Sequence, residues 1–189
     1  MDDELKVSTL YQEILNCWND RNAHKLAALF EQDGTLVGLN GSQYVGRAHI
    51  ESDLRKLFRD KITAVFIGLA REVRCLSADV RLVRAVAGMI QPGKSNIDPS
   101  LNTVQVIVTR KYGDEWCVSH FQNTPVEFHG RREVDEKLTE ELVNSLTDDM
   151  REKLMNQLEK DQNSGNNRKN GKNSKRAKSD NKGTDDKKS

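Results

Sequence analysis

The last apolar run of the sequence, from Trp116 to Thr124, carries the side chains best suited to chemistry. His120 is the candidate general acid or base, because imidazole is the side-chain group best suited to proton transfer near neutral pH. A histidine that is hydrogen-bonded within a sheet, or that lies at a subunit contact, is the alternative interpretation. Strict alternation along a strand predicts two faces, Trp116, Val118, His120 and Gln122 on one and Cys117, Ser119, Phe121 and Asn123 on the other.

Four further side chains are candidate ligand contacts. The carboxamides of Gln122 and Asn123 can orient a ligand carbonyl, or they can satisfy backbone groups where the strand ends before Pro125. Tyr44 has a hydroxyl that needs a partner if it is buried. Trp18 lies on the apolar stripe of the first helix, a position that is also typical of a core residue.

Arg71 interrupts an apolar alternation that runs from Val65 to Cys75. It is a ligand anchor, a part of a hydrated subunit interface, or a residue that a β-bulge turns outward. If the turn at 77–79 has three residues, Glu72 lies opposite Arg84 as a cross-strand pair of opposite charge.

No cofactor and no metal are expected. The three cysteines, Cys17, Cys75 and Cys117, are far apart and lack the ligand spacing of a zinc site. The sequence has no glycine-rich dinucleotide motif. No run approaches the roughly 20 apolar residues of a membrane-spanning helix, and the acidic start lacks the apolar region of a signal peptide. We therefore expect a cytoplasmic protein with reduced thiols.

Hydrophobic periodicity predicts an α+β fold with the order α-α-β-β-α-β-β-β-β. The helices are expected to pack on one face of a curved antiparallel sheet. The predicted elements are a helix over 7–18, a helix that carries Leu26 to Phe30 and ends at Asp33-Gly34, strands 35–39 and 43–45 around Asn40-Gly41, a helix over 46–58, and strands 64–76, 80–90, 101–112 and 116–124.

The chain divides into three parts, a domain over 1–130, an amphipathic helical extension over 131–160 and a disordered basic tail over 161–189. The extension has an apolar stripe from Leu138 to Leu158 and forms one helix, or two if Thr147 caps the second. The tail has too few apolar residues to offset the entropy of chain ordering. Its nine basic and four acidic residues leave the rest of the 189-residue chain mildly acidic, because the total net charge is +1. Nucleic-acid binding is therefore not expected, apart from a weak attraction of the tail to polyanions.

Five short motifs stand in a characteristic order along residues 5–128. They are Trp18-Asn19, Leu29-Phe30-Glu31-Gln32-Asp33-Gly34, Gly46-Arg47-Ala48-His49-Ile50, Val106-Ile107-Val108-Thr109-Arg110, and Trp116-Cys117-Val118 leading to Phe121-Gln122-Asn123-Thr124-Pro125. In this order and spacing they resemble SnoaL-like, or nuclear transport factor 2-like, domains, and most closely the SgcJ/EcaC group. The resemblance implies a cone-shaped sheet around three N-terminal helices, with a pocket at the open end near Tyr44.

The resemblance also bears on activity. Ketosteroid isomerases of this superfamily use an aspartate on the strand after the second helix, and the corresponding position, counted from Asp33, falls at or near Gly38. Without that base, proton abstraction beside a carbonyl is disfavoured. Two hypotheses remain: a protein, with or without catalytic activity, that binds a small apolar or carbonyl-bearing ligand in the cone, and a noncatalytic dimerisation or partner-binding module. A deep cavity lined by Tyr44 and His120 favours the first, and a cone filled by apolar side chains favours the second.

Apolar residues on both faces of the two long central strands predict a homodimer through the sheet face that the helices leave open. The striped helix at 138–158 is the competitor, because it could cover that face within one chain. The two predicted faces are Val65, Ile67, Leu69, Val73, Val83, Ala85 and Met89, and Phe66, Ala70, Leu76, Val80, Leu82, Val86 and Ile90.

Overall fold

The structure is a computed structural model that describes residues 2–126 and 132–162. It has the predicted α+β architecture and the predicted order of elements. The helices are α1 (Asp3–Asn19), α2 (Ala23–Ala28), α3 (Arg47–Asp60), α4 (Arg132–Asn144) and α5 (148–162). The strands are β1 (Phe30–Val37), β2 (Gln43–Val45), β3 (Val65–Cys75), β4 (Val80–Ile90), β5 (Thr103–Tyr112) and β6 (Glu115–Pro125), with a 3₁₀ turn at Pro99–Leu101.

The six strands form one curved sheet in the order β2-β1-β6-β5-β4-β3. Every pair is antiparallel except β1 with β6, which is parallel. Helices α1, α2 and α3 pack on one face, which we call the inner face, and the opposite face is the outer face. Helix α1 begins at the cap Asp2 and places Val7, Tyr11 and Ile14 against the sheet at helical spacing.

Helix α2 is shorter than predicted, and β1 starts earlier. The helix ends at Ala28, and Phe30 is a strand residue that pairs with Val118 of β6. The side chain of Phe30 is fully buried in the sheet, and this burial outweighs its helical spacing from Leu26. Gly34 lies in the irregular stretch before Thr35, where a Cβ atom would come within 2.8 Å of the Val118 carbonyl oxygen.

A β-bulge in β3 corrects the two predicted sheet faces. The register shifts between Ala70 and Glu72, so Phe66 and Ala70 face inward before the bulge and Val73 faces inward after it. Strict alternation had grouped Val65, Ile67 and Leu69 with Val83 and Ala85, but these three point to the outer face. The prediction that the side chains of β3 alternate between the two faces without interruption was therefore wrong at the bulge.

Arg71 is the extra residue of this bulge and lies on the outer face, as Leu69 does. Its Nε donates to Oε1 of Glu141 in α4 at 3.1 Å, and a second guanidinium nitrogen contacts the other carboxylate oxygen. Of the three interpretations, the outward-facing residue at a β-bulge is the one observed, although the alternation from Leu69 already gives this direction and the bulge changes only the residues after it. Glu72 lies opposite Arg84 as predicted, with 3.0 Å between Nη1 of Arg84 and Oε2 of Glu72.

A second bulge, at Ser119 in β6, corrects the predicted faces of the last strand. Thr109 pairs with Val118 and Val108 pairs with His120, so one extra residue stands in β6. Trp116, Val118, Phe121 and Asn123 consequently share the inner face, whereas His120 and Gln122 lie on the outer face.

The extension consists of two helices, and Thr147 caps the second, since the N–H of Met150 donates to its hydroxyl oxygen at 3.3 Å. Both helices pack on the outer face over the end of the sheet formed by β3 and β4. A second core forms there, from Val65, Ile67, Val86, Ile90, Ile97, Leu138, Leu142 and Leu158. The predicted competitor for this face is thus present, but only over one end of the sheet.

Helix α5 extends two residues beyond the predicted start of the tail. Asp161 is 6% exposed, and Arg21, in the turn after α1, donates two hydrogen bonds to its carboxylate at 2.8 and 2.6 Å. The remaining predicted tail, 163–189, lies outside the described residues. Among the described residues, no helix has both the length and the apolar character required to cross a membrane.

Candidate functional site

The inside of the cone is filled by side chains. Phe30, Ile107 and Tyr11 are each at most 1% exposed, and they close the space between the helices and the inner face. Tyr11 lies directly on Gly68, and any side chain at that position would overlap its hydroxyl group. Of the two alternatives set by the sequence, the filled cone is the one observed among the described residues.

Three polar side chains form a hydrogen-bonded chain within this apolar interior. The hydroxyl of Tyr11 donates to Oε1 of Gln105 at 2.9 Å, and Nε2 of Gln105 donates to Oδ1 of Asn123 at 3.4 Å. All three residues are buried. Burial raises the pKa of the Tyr11 phenol far above its ordinary value, so it stays protonated and acts as a donor. With two carboxamides and a neutral phenol, this network satisfies buried polar groups but has no member that transfers a proton at neutral pH.

The predicted site residues do not converge. Asn123 belongs to the buried network, and Tyr44 lies at the inner face, where it pairs with Leu36 and packs against the core. His120 and Gln122 lie on the other side of the sheet, 3.5 Å apart between Nε2 and Oε1. A single cavity lined by Tyr44 and His120 is therefore excluded by the Ser119 bulge.

Trp18 and Arg71 have structural contacts. The indole of Trp18 donates to the carbonyl oxygen of Ala64 at 2.9 Å and meets Phe58 and Phe66 edge-on, which places it in the core. Arg71 is held by α4 on the outer face. Whether any of the six candidates contacts a ligand stays a prediction, but the structure does not bring them together into one site.

The outer face of β5 carries an apolar row that the extension leaves uncovered. Val104, Val106 and Val108 point outward, and Val104 is 40% exposed. Leu82 of β4 lies beside Val108, and His120 of β6 flanks it on the other side. We call these residues, together with Gln122, the outer patch. The inner face of the same strand is more polar, because it carries Thr103, Gln105 and Thr109.

A cleft of about 470 Å³ lies between α1, β3 and α5, outside the cone. Its floor is the edge strand β3. Side chains of α1 form hydrogen bonds to backbone groups on the open edge of this strand. Asn19 both donates to the carbonyl oxygen and accepts from the N–H of Phe66, each at 2.9 Å, and Gln12 donates to the carbonyl oxygen of Gly68 at 3.0 Å. These amides close the edge to the addition of a strand from another sheet.

Sequence reasoning missed Gln105, Tyr11 and the cleft. Gln105 stands in the run Val104-Gln105-Val106-Ile107-Val108, where the valines suggest the buried face, although it is the glutamine that is buried. The only available signal was Asn123 in the motif Phe121-Gln122-Asn123-Thr124-Pro125, since a buried asparagine requires a polar partner on the next strand. Nothing in the sequence indicated how α5 would lie along α1.

Comparison with known proteins shows the fold. A scan against models of protein families finds no match, and no curated protein matches in sequence. A solved domain of unknown function with a cystatin-like fold from Nostoc punctiforme is 19% identical, with a TM-score of 0.63 over 82% of this chain and 93% of its own. The matched 82% of this chain is more than residues 2–126 alone account for, so the structural likeness extends beyond them.

Two other structural neighbours have functional descriptions. A ketosteroid isomerase-like protein from Erwinia carotovora is 16% identical, with a TM-score of 0.53 over 67% of this chain and 99% of its own. A protein from Thiobacillus denitrificans, described as a calcium/calmodulin-dependent protein kinase II association domain, is 12% identical, with a TM-score of 0.55 over 62% of this chain and 93% of its own. Nuclear transport factor 2-like proteins with a cystatin-like fold are also among the neighbours. The chain has the nuclear transport factor 2-like fold, and at these identities the likeness extends to the fold alone.

Proposed function

We propose that this protein is a noncatalytic association module that forms a homodimer through the outer patch. The observation that carries the proposal is the polarity of β5, which directs three valines outward, whereas three of its four inward residues, Thr103, Gln105 and Thr109, are polar and only Ile107 is apolar. A solvated antiparallel face normally alternates to polar residues. An apolar row on the outside of a sheet is stabilising only if another surface covers it.

The filled interior supports a noncatalytic role. The buried network of Tyr11, Gln105 and Asn123 is satisfied within itself and offers no acid or base. The one imidazole of the candidate set, His120, belongs to the outer patch, where it suits a contact between protomers. One structural neighbour is described as an association domain, which is a second, weaker support.

A second copy of this chain is the partner we propose, because a two-fold axis pairs the outer patch of one protomer with the same patch of the other. The charges beside the patch suit such a contact, since Glu72 is bonded to both Arg74 and Arg84 and leaves no large single-sign field. We further propose a cytoplasmic location, which the free thiols of Cys17 and Cys75 support. Membership in the SgcJ/EcaC group is part of the same proposal.

Val106→Asp tests the proposal by sedimentation equilibrium. The parent protein should be dimeric and the variant monomeric, because an aspartate in the centre of the contact loses its hydration when a second copy covers it, and its nearest cation, Arg84 opposite on β4, is already bonded to Glu72. At about 1.5 kcal/mol for each of two lost valine contacts, the dimer dissociation constant should rise at least a hundredfold.

Leu5→Asp is the matched control, because Leu5 is also apolar and 56% exposed but lies on α1, away from the outer patch. Its dimer should be as stable as that of the parent. Val104→Lys, at the more exposed end of the row, is a second variant that tests the same contact if Val106→Asp does not fold. Parent and Val106→Asp proteins with the same mass in solution would disprove the proposed dimer.

A further inference from the structure

The cleft between α1, β3 and α5 is preformed. Its outer wall, α5, is anchored by Leu158, which is 6% exposed, and by the paired hydrogen bonds between Arg21 and Asp161. The Asp161 side chain is 5% exposed, so this ion pair is shielded from solvent. Since both walls are held in place, a ligand would not have to order the cleft on binding.

The walls of the cleft carry facing rows of polar side chains. Along α1 they are Gln12, Asn16, Asn19 and Asp20, and along α5 they are Asp149, Lys153, Asn156, Gln157 and Lys160. Most are already bonded, for example Lys153 to Asp149 at 2.8 Å. Within residues 2–126 and 132–162, the carboxamides of Asn16 and Asn156 have no hydrogen-bond partner.

The chemistry of the lining selects among ligand classes. Its two acidic and two basic side chains balance, which disfavours an anion such as a phosphate or a nucleic acid. Its single aromatic residue, Phe66, is 8% exposed and offers no ring face on which a sugar or base could stack. The apolar side chains of the lining that are only partly buried are Leu146, Met150 and Leu154.

We propose that this cleft binds a short, extended, uncharged peptide segment. The main-chain amides of the segment bond to the carboxamides of Asn16 and Asn156, which each offer a donor and an acceptor. Alternate side chains lie against these partly buried apolar residues, as extended peptides place them. From Gln12 to Asp20 the α1 wall is about 12 Å long at 1.5 Å per residue, which matches about four extended residues at 3.3 Å each.

The test is an amide-resolved NMR titration of the full chain with the blocked tetrapeptide acetyl-Ser-Val-Ser-Val-amide. Shift changes are expected in three stretches, 12–20, 65–68 and 149–160, and in the side-chain amide signals of Asn16 and Asn156. Loss of one hydrogen bond should weaken binding about five- to tenfold in Asn16→Ala and in Asn156→Ala. Both positions are exposed, so the fold should be unaffected.

Asn144→Ala is the matched control, because Asn144 is an exposed helical asparagine outside the cleft and its loss should leave peptide binding unchanged. Inorganic phosphate and glucose serve as competing probes and should not shift the same signals. The proposal is overturned if the peptide shifts no cleft signals at millimolar concentration, if Asn16→Ala binds as well as Asn144→Ala, or if phosphate or glucose binds there more tightly than the peptide. None of these outcomes depends on whether the protein is a dimer.

Discussion

Leu142→Ala is expected to lower the free energy of unfolding by about 3 to 5 kcal/mol. Leu142 is fully buried between α4 and the outer face, in the cluster that contains Ile67 and Val86. A Cβ atom at Gly88 would lie only 3.0 Å from Leu142 Cδ1, so the leucine sits directly on the backbone of β4. Because packed neighbours relax only partly into such a space, most of the cost of the cavity remains.

Urea denaturation measures this effect, and Val143→Ala is its control. Val143 is the next residue of α4 and is 37% exposed, so its truncation should change the unfolding free energy by no more than about 0.5 kcal/mol. Equal losses in the two variants would contradict the packing of α4 on the sheet. A large loss of unfolding free energy in Leu142→Ala alone would show that the extension is an integral part of the folded domain.

Gly68→Ala is the second substitution with a large expected effect, a loss of about 3 kcal/mol or more. The new methyl group would overlap the Tyr11 hydroxyl and lie 2.6 Å from Leu15 Cδ1. Because Tyr11 must then withdraw, its hydrogen bond to Gln105 is broken, and a buried amide oxygen is left without its donor. The cost therefore combines overpacking with an unsatisfied polar group.

Two companion variants isolate that cause by thermal denaturation. Gly38→Ala is the control, since the nearest atom to its new Cβ is the side-chain oxygen of Asn40 at 3.3 Å, and the loss should be small. Tyr11→Phe removes the overlapping oxygen, so Gly68→Ala combined with Tyr11→Phe should lose less stability than the sum of the two single variants. Strictly additive losses would show that Tyr11 and Gly68 are not in contact.

The order of elements was predictable from the sequence because it depends on local periodicity. The helical stripe of α1 and the Asn40-Gly41 turn before β2 are both local features. Prediction failed where a partner that is distant in the sequence determines the secondary structure of a residue. Phe30 fits the spacing of a helix, and only its pairing with Val118, a neighbour across the sheet, assigns it to β1.

The candidate site was less predictable than the fold, because two bulges decide which side chains face inward. A bulge adds one residue and reverses the face of all that follow, and neither Arg71 nor Ser119 carries a distinctive local signal. The bulge at Ser119 moves His120 to the outer face and brings Asn123 to Gln105. The cleft depends on the contact of Arg21 with Asp161, which are 140 residues apart in the chain.

Light scattering on the full chain and on residues 1–130 tests the central claim, association through the outer patch, most directly. The extension covers only one end of the outer face, so the uncovered valines of β5 should make the full chain a dimer. The shortened chain should be at least dimeric, because it exposes Val65, Ile67, Val86 and Ile90 in addition. A full chain that stays monomeric at high concentration, with association only in the shortened chain, would contradict the account and would make the extension the sole cover of that face.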